Sequence, residues 1–257
     1  MENPPGRFKV RGTTGHAAGC PAMVVRAETL NLPARGWRID RRKALFVAAL
    51  CWLGFAAFVW TVANGHAEAI DRLGLLFWRS PPDLRPAGPA WLLEGVRDVT
   101  ALGGVVLRNL FAAAAVAALL FLRLRREALL LAATVASGWI VDFAIKAGVG
   151  RDRPTIVPHL TEAGGSSFPS GHSFNSAVVY IAIALAFATL SPRRSVRYTV
   201  IAAALVISAL VAWTRVWLGV HFPTDVAAGW LGGAGWAFLA AALLQRPVQQ
   251  IADRTVH

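Results

Sequence analysis

Three short stretches of the chain hold the residue types that can grip an anion and move a proton. The first runs Lys146-Ala-Gly-Val-Gly-Arg-Asp-Arg153-Pro154, the second Phe168-Pro169-Ser170-Gly171-His172-Ser173, and the third Thr214-Arg215, five residues, then His221-Phe-Pro-Thr-Asp225. Lys146, Arg153 and Arg215 supply three cations, and arginine offers paired donors that match the oxygens of a phosphate dianion. Ser170 is placed to cap a helix, which would leave the Gly171 and His172 amides pointing outward as an anion site, and Gly171 lets backbone approach closely. His221 and Asp225 are four apart, so one helical turn puts them on the same side. An aspartate bonded to one imidazole nitrogen fixes the tautomer and frees the other nitrogen to attack. His172 remains as the general acid for a leaving oxygen. No step of this chemistry requires a metal or a cofactor.

These side chains need elements that bring them together, and the composition says what kind. Hydrophobic residues make up 56% of the 257 and charged residues only 16%, against about 25% charged in soluble domains. The apolar residues gather into runs, and six are long enough to suggest crossings of a bilayer: about 44–63, 101–122, 128–145, 174–190, 198–214 and 225–244. The expectation is an all-α, polytopic, six-helix membrane domain over 37–246, with a disordered basic tail over 1–36 and a short cytoplasmic tail over 247–257. Cys20 falls in the polar tail and Cys51 in the first apolar run, so they are not expected to pair.

Basic clusters give the orientation. Residues 38–43 precede the first run; Arg123, Arg125 and Arg126 fall between the second and third; Arg193, Arg194 and Arg197 between the fourth and fifth; Arg246 follows the sixth. With six crossings all four clusters share one side, which the excess of Lys and Arg in cytoplasmic loops makes the cytoplasmic side. Both termini are then cytoplasmic, and the three chemical stretches open on the opposite face. Of the net charge of +12, half sits in residues 1–43. Membrane flanks explain that better than nucleic acid, for which no aromatic-interleaved basic patch is present.

Residues 67–78 read as an amphipathic helix lying in the outer interface, and Trp60, Trp78, Trp91, Trp213 and Trp217 as an anchoring belt at that level. Arg108 and Asp142 each lie 14 residues from their cytoplasmic ends, about 21 Å along a helix. They are expected to form an ion pair beneath the site; alternatively Asp142 tethers Lys146, four residues on. Arg151 and Asp152 read as solvated loop residues, His66 and His159 as surface residues, and Gly229 with Gly233 as a small-residue packing face.

Taken in order, Lys-x6-Arg-Pro, Pro-Ser-Gly-His and Arg-x5-His-x3-Asp resemble the three-part signature of the type 2 phosphatidic acid phosphatase (PAP2) family. Its superfamily also includes vanadium haloperoxidases and glucose-6-phosphatases. The motifs cover 146–225, and the six-span layout extends the similarity over most of 44–244. The resemblance implies a membrane lipid phosphate phosphatase with His221 as nucleophile, Asp225 as its partner and His172 as acid. Lys146, Arg153, Ser170, Gly171 and Arg215 would bind the phosphoryl group. It also implies a bacterial-type inner membrane; the membrane setting favours phosphatidate, phosphatidylglycerophosphate or a polyprenyl diphosphate as substrate, with a soluble phosphate ester, used by some relatives in the superfamily, as the alternative. One departure is that the third motif usually begins Ser-Arg where this chain has Thr214-Arg215.

Other functions fit the same residues less well. A serine hydrolase built on Ser170 with His172 or His221 and Asp225 leaves the three cations idle, as does a zinc site made of His172, His221 and Asp225. Vanadate-dependent halogenation is found in typically soluble relatives. A lipid carrier or scaffold with a relic site is expected to have lost one of His172, His221, Arg215 or Asp225, and all four are present.

Overall fold

The computed structural model describes residues 39–244; the tails expected over 1–36 and 247–257, and Cys20, lie outside the described residues. Within them the chain is almost wholly helical. α1 (Arg41–Ala63) opens under an Asp40 cap, whose carboxylate accepts the Arg42 and Lys43 amides. α2 (Glu68–Leu76) follows. A two-residue antiparallel ladder of β1 (Arg79–Ser80) and β2 (Arg85–Pro86) then leads to α3 (Ala90–Ala101) and α4 (Val105–Phe121). The remainder is α5 (Arg125–Val149), α6 (Gly171–Ala188), α7 (Arg194–Trp217) and α8 (Pro223–Leu244).

Five of these helices are long and apolar enough to cross a membrane. α3 and α4 together make a sixth candidate, bent by 47°. The run expected over 101–122 corresponds to α4, to which α3 adds a bent N-terminal extension. The break falls at Leu102–Gly104, where two glycines lower helix propensity and where space is tight. A Cβ at Gly103 would stand 2.3 Å from Val211 Cγ1 and 3.2 Å from His172 Cδ2. α5 and α7 also begin earlier than their apolar windows, because Arg125, Arg126, Arg194 and Arg197 form good helix while lowering the hydropathy that marks a span.

Packing follows from which helices are apolar all round and which keep a lipid-facing side. α6 is buried from Ser173 through Leu185 at most positions and forms the centre. It packs against α8, α7 and α5, while α1 covers α8 and α4 covers α5. α6 and α8 come close because Gly229 and Gly233 carry no side chain. A Cβ on Gly233 would lie 2.1 Å from the Phe174 carbonyl, and one on Gly229 2.7 Å from that of Ser170. The outer helices expose Phe46, Leu53, Phe121, Ile140 and Phe143, a surface suited to hydrocarbon rather than water.

Connections 122–124 and 189–193 are short, so successive helices run antiparallel. The starts of α1, α5 and α7, with their arginines, gather at one end of the bundle. The ends of α5 and α7 and the starts of α6 and α8 gather at the other. The aromatic belt is corrected in part. Trp60 and Trp91 are exposed, whereas Trp217 is buried in the core and Trp78 packs edge-on against Trp213 with centroids 5.4 Å apart.

Candidate active site

At the end away from the arginine-rich starts, four helix termini present the motif residues to one another. α5 stops after Lys146 because Gly150 takes the left-handed conformation, φ +63°, which a glycine adopts without strain. The chain then passes through Arg151 and Arg153 into the loop that ends at Ser170. Loop and helices are fastened together: the Ser170 amide donates to the Asp225 carbonyl at 3.0 Å, Ser167 N–H to Arg151 O at 2.7 Å, and Leu160 N–H to Leu218 O at 3.0 Å.

His221 sits in the turn between α7 and α8, 2% exposed. Arg153 Nη1 lies 3.1 Å from its Nε2. Arginine can only donate, so Nε2 carries the lone pair and the ring proton rests on Nδ1. That nitrogen faces Ser167 Oγ at 3.3 Å and Asp225 Oδ2 at 3.6 Å. Ser167 Oγ–H in turn donates to Asp225 Oδ2, as does the Phe222 amide at 3.0 Å. The imidazole is thus backed by a carboxylate on one side and offers its free nitrogen to the arginine side. Burial pushes the His221 pKa down to about 4. Asp225 pulls against that shift, while Arg153 and Arg215 add to it. At neutral pH the ring is uncharged.

Backbone carbonyls place two of the three cations, and a threonine hydroxyl the third. Arg153 donates to Gly164 O at 2.7 Å, Gly165 O at 3.0 Å and Val220 O at 2.8 Å, and burial lowers its pKa. Lys146 Nζ donates to Pro169 O and Ser166 O. Arg215, buried, donates to Thr100 Oγ1 at 2.8 Å. His172, in the first turn of α6, is within electrostatic reach of Arg215, His221, Arg108 and Arg153. A Cβ on Gly171 would stand 3.3 Å from Lys146 Cε, so the α6 start lies directly on the lysine stem. All eight motif residues therefore converge at one end of the bundle.

Three expectations need correction. Ser170 holds the N-cap position of α6, but its hydroxyl makes no cap hydrogen bond, and its buried Oγ has no protein partner. Among the described residues no Arg108–Asp142 ion pair forms. Arg108 instead turns back to the Gly103 carbonyl at 3.1 Å, one of the groups freed by the helix break, with its guanidinium 5.8 Å from the Trp139 ring centroid. Asp142 accepts from Asn175 Nδ2 at 2.9 Å and stands near Lys146 across Gly171 without touching it. Arg151 is no solvated loop residue: it binds Asp225 Oδ1 at 2.6 Å and Asp71 Oδ2 at 2.7 Å.

Ser167, Asp71, Thr100 and Thr224 were not read from the sequence as site residues. Asp71 carried a usable signal, as a carboxylate four residues from Leu75 on the apolar side of a short amphipathic helix. The zinc alternative loses support, since Asp225 is already held by Arg151, Ser167 and the Phe222 amide. No cluster of three metal-binding side chains occurs among the described residues.

The lipid-facing bundle and the phosphate-type site together define a class of membrane-embedded phosphatases. The family model of the PAP2 superfamily matches residues 126–249. Phosphatidylglycerophosphatase B of Bacillus subtilis is 33% identical over 195 residues, covering 74% of this chain and 89% of that protein. A lipid A 1-phosphatase of Rhizobium etli is 35% identical over 126 residues, 46% of this chain and 49% of the relative. The crystal structure of a transmembrane PAP2-type phosphatidylglycerolphosphate phosphatase from Bacillus subtilis superposes with a TM-score of 0.64 at 28% identity, covering 82% of this chain and 98% of that one. The chain belongs to the PAP2 superfamily and is a multi-pass membrane phosphatase.

Proposed function

We propose that the protein hydrolyses the terminal phosphate of a membrane lipid, at the extracytoplasmic face, through a phosphohistidine on His221. The observation that carries this reading is the setting of the His221 ring, with Nδ1 turned to Ser167 and Asp225 and Nε2 turned to Arg153. In the first step Nε2 bonds to phosphorus and the phosphorus–oxygen bond to the lipid breaks, while His172 gives a proton to the departing oxygen. In the second step His172 takes a proton from water, whose oxygen bonds to phosphorus as the nitrogen–phosphorus bond breaks. Lys146, Arg153 and Arg215 offset the phosphoryl charge, and preorganised donors of this kind commonly supply the largest share of such a rate enhancement. Ser170 Oγ, buried and unpartnered, is a ready donor to one phosphoryl oxygen, and the Gly171 and His172 amides at the α6 start are others.

The lipid is suggested by the relatives. One is named for phosphatidylglycerophosphate and another for the 1-phosphate of lipid A, and both names describe a phosphate on a lipid anchor. Phosphatidylglycerophosphate is the first substrate to try, ahead of phosphatidate and polyprenyl diphosphate. The arginine clusters at the opposite end of the bundle support an extracytoplasmic site in the inner membrane.

Phosphate release by detergent-purified protein, compared with His221→Ala over that lipid panel and a soluble ester, tests the reading. Release that persists in EDTA and disappears in the variant is expected. Equal release by the variant, or release abolished by EDTA in the wild type, would overturn the histidine mechanism.

A further inference from the structure

Arg151 fills an unspecified position of the first motif and Asp71 lies outside all three, yet Arg151 meets the nucleophile's partner directly and Asp71 meets it through Arg151. One Arg151 guanidinium bridges two buried carboxylates. Nη1 donates to Asp225 Oδ1 at 2.6 Å and to Thr224 Oγ1 at 2.9 Å, and Nη2 donates to Asp71 Oδ2 at 2.7 Å. The guanidinium lies 4.1 Å from the Phe222 ring centroid, on the residue that follows His221. Asp71, on the inner side of α2, is itself anchored to the first turn of α8. It accepts the Thr224 amide at 3.0 Å and the Thr224 hydroxyl at 2.8 Å. Asp71 is 1% exposed and Asp225 0%.

Two consequences follow. With Oδ1 held by Arg151, and Oδ2 by Ser167 and the Phe222 amide, the Asp225 carboxylate cannot rotate, and Oδ2 stays aimed at His221 Nδ1. Charge is the second matter. Arg151 alone would cancel Asp225 and leave nothing to steady the positive imidazole that forms when Nε2 bonds to phosphorus. Asp71 restores a net charge of −1 to the group of three. We propose that Arg151 and Asp71 are paired positioning residues: Arg151 fixes the geometry of Asp225, and Asp71 preserves the negative charge that His221 sees. This rests on the phosphohistidine reading of the site.

The groups facing His221 come from several elements: Asp225 on α8, Arg153 and Ser167 on the loop before α6, His172 on α6 and Arg215 on α7, with Lys146 on α5 and Arg151 on the loop standing one group further off. Asp71 acts from α2 through Arg151. Since the two paired residues carry opposite charge, their neutral variants are expected to move the acid side of the kcat/KM profile in opposite directions. Arg151→Gln removes a cation, so His221 holds its proton more readily and the acid midpoint rises, by roughly half a pH unit. Asp71→Asn removes an anion, and the midpoint falls by a similar amount. Misaligned reacting groups cost on the order of 10²-fold, so kcat is expected to fall by about that factor in Arg151→Gln with KM little changed. Arg151→Lys keeps the charge but not the two-way bridge; it is expected to leave the midpoint in place and recover only part of kcat.

The profiles are measured on full-length protein in detergent, with wild type and His221→Ala alongside. Wild-type release that His221→Ala abolishes keeps the mechanistic reading separate from this test. Opposite shifts support the pairing. Shifts in the same direction, no shift in either variant, or full activity in Arg151→Gln overturn it. If Arg151→Gln does not yield folded protein, Asp71→Asn and Arg151→Lys decide alone, since a midpoint unmoved in the first or moved in the second is equally fatal.

Discussion

Acidifying the protein is expected to leave His221 uncharged until well below the range in which histidine usually titrates. The ring is 2% exposed, and burial brings its pKa down from 6.5 to about 4 against the pull of Asp225. That difference corresponds to about 3 kcal/mol at 1.36 kcal/mol per unit. The sign is fixed by linkage. Between pH 4 and 6.5 the unfolded chain binds a proton here that the folded chain refuses, so stability rises with pH across that window. The contribution is fully present above pH 6.5 and is lost as pH falls toward 4. Histidine-labelled protein in detergent micelles, with the His221 resonance assigned by its loss in His221→Gln, gives the titration directly by NMR. A midpoint between about 3.5 and 5 agrees with the buried, Arg153-facing ring. A midpoint at or above 6.5 would show that His221 is hydrated or held as a cation, and the tautomer assigned from Arg153 would be wrong.

Three other outcomes are expected. Asp225→Asn keeps the shape but places an amide donor where Nδ1–H needs an acceptor, so kcat is expected to fall roughly 10³–10⁴-fold, as when the equivalent partner of a catalytic histidine is neutralised elsewhere; a loss under tenfold would remove Asp225 from the mechanism. Gly233→Ala drives a methyl into the Phe174 carbonyl, which would lie 2.1 Å away, and overpacking of this kind costs about 1–3 kcal/mol or more. A clear drop in detergent melting temperature is expected, and an unchanged one would mean that α6 and α8 are not in this contact. In a background with Cys20 and Cys51 replaced, Glu162→Cys at the site end is expected to react with an impermeant maleimide on intact cells and Ser195→Cys at the opposite end is not; the reverse pattern inverts the orientation.

Much of the site could be read from residue types and spacing because its parts lie close together in sequence. His221 and Asp225 are one turn apart, and Ser170, Gly171 and His172 are consecutive. Lys146 and Arg153 flank one loop. What could not be read is whatever joins distant segments. Asp71 lies 153 residues from Thr224, and Thr100 lies 115 from Arg215, so each looks like an ordinary polar residue until the helices pack. Arg151 was misread for the same reason, since its partners are on α2 and α8. The bend between α3 and α4 was also hidden. The apolar pattern runs on through Leu102–Gly104, so hydropathy conceals the break that the two glycines there favour. For Arg108 and Asp142, counting residues from the helix ends does not settle which way a side chain turns. The Gly103 carbonyl and Asn175 proved nearer partners.

The central claim is that phosphate passes through His221, and rapid quenching with a lipid substrate radiolabelled in its terminal phosphate tests it most directly. Wild-type protein quenched in alkali is expected to retain label in an alkali-stable, acid-labile bond that maps to the peptide containing His221, and His221→Ala is expected to retain none. Label on a serine, or turnover with no labelled protein at any quench time, would contradict it.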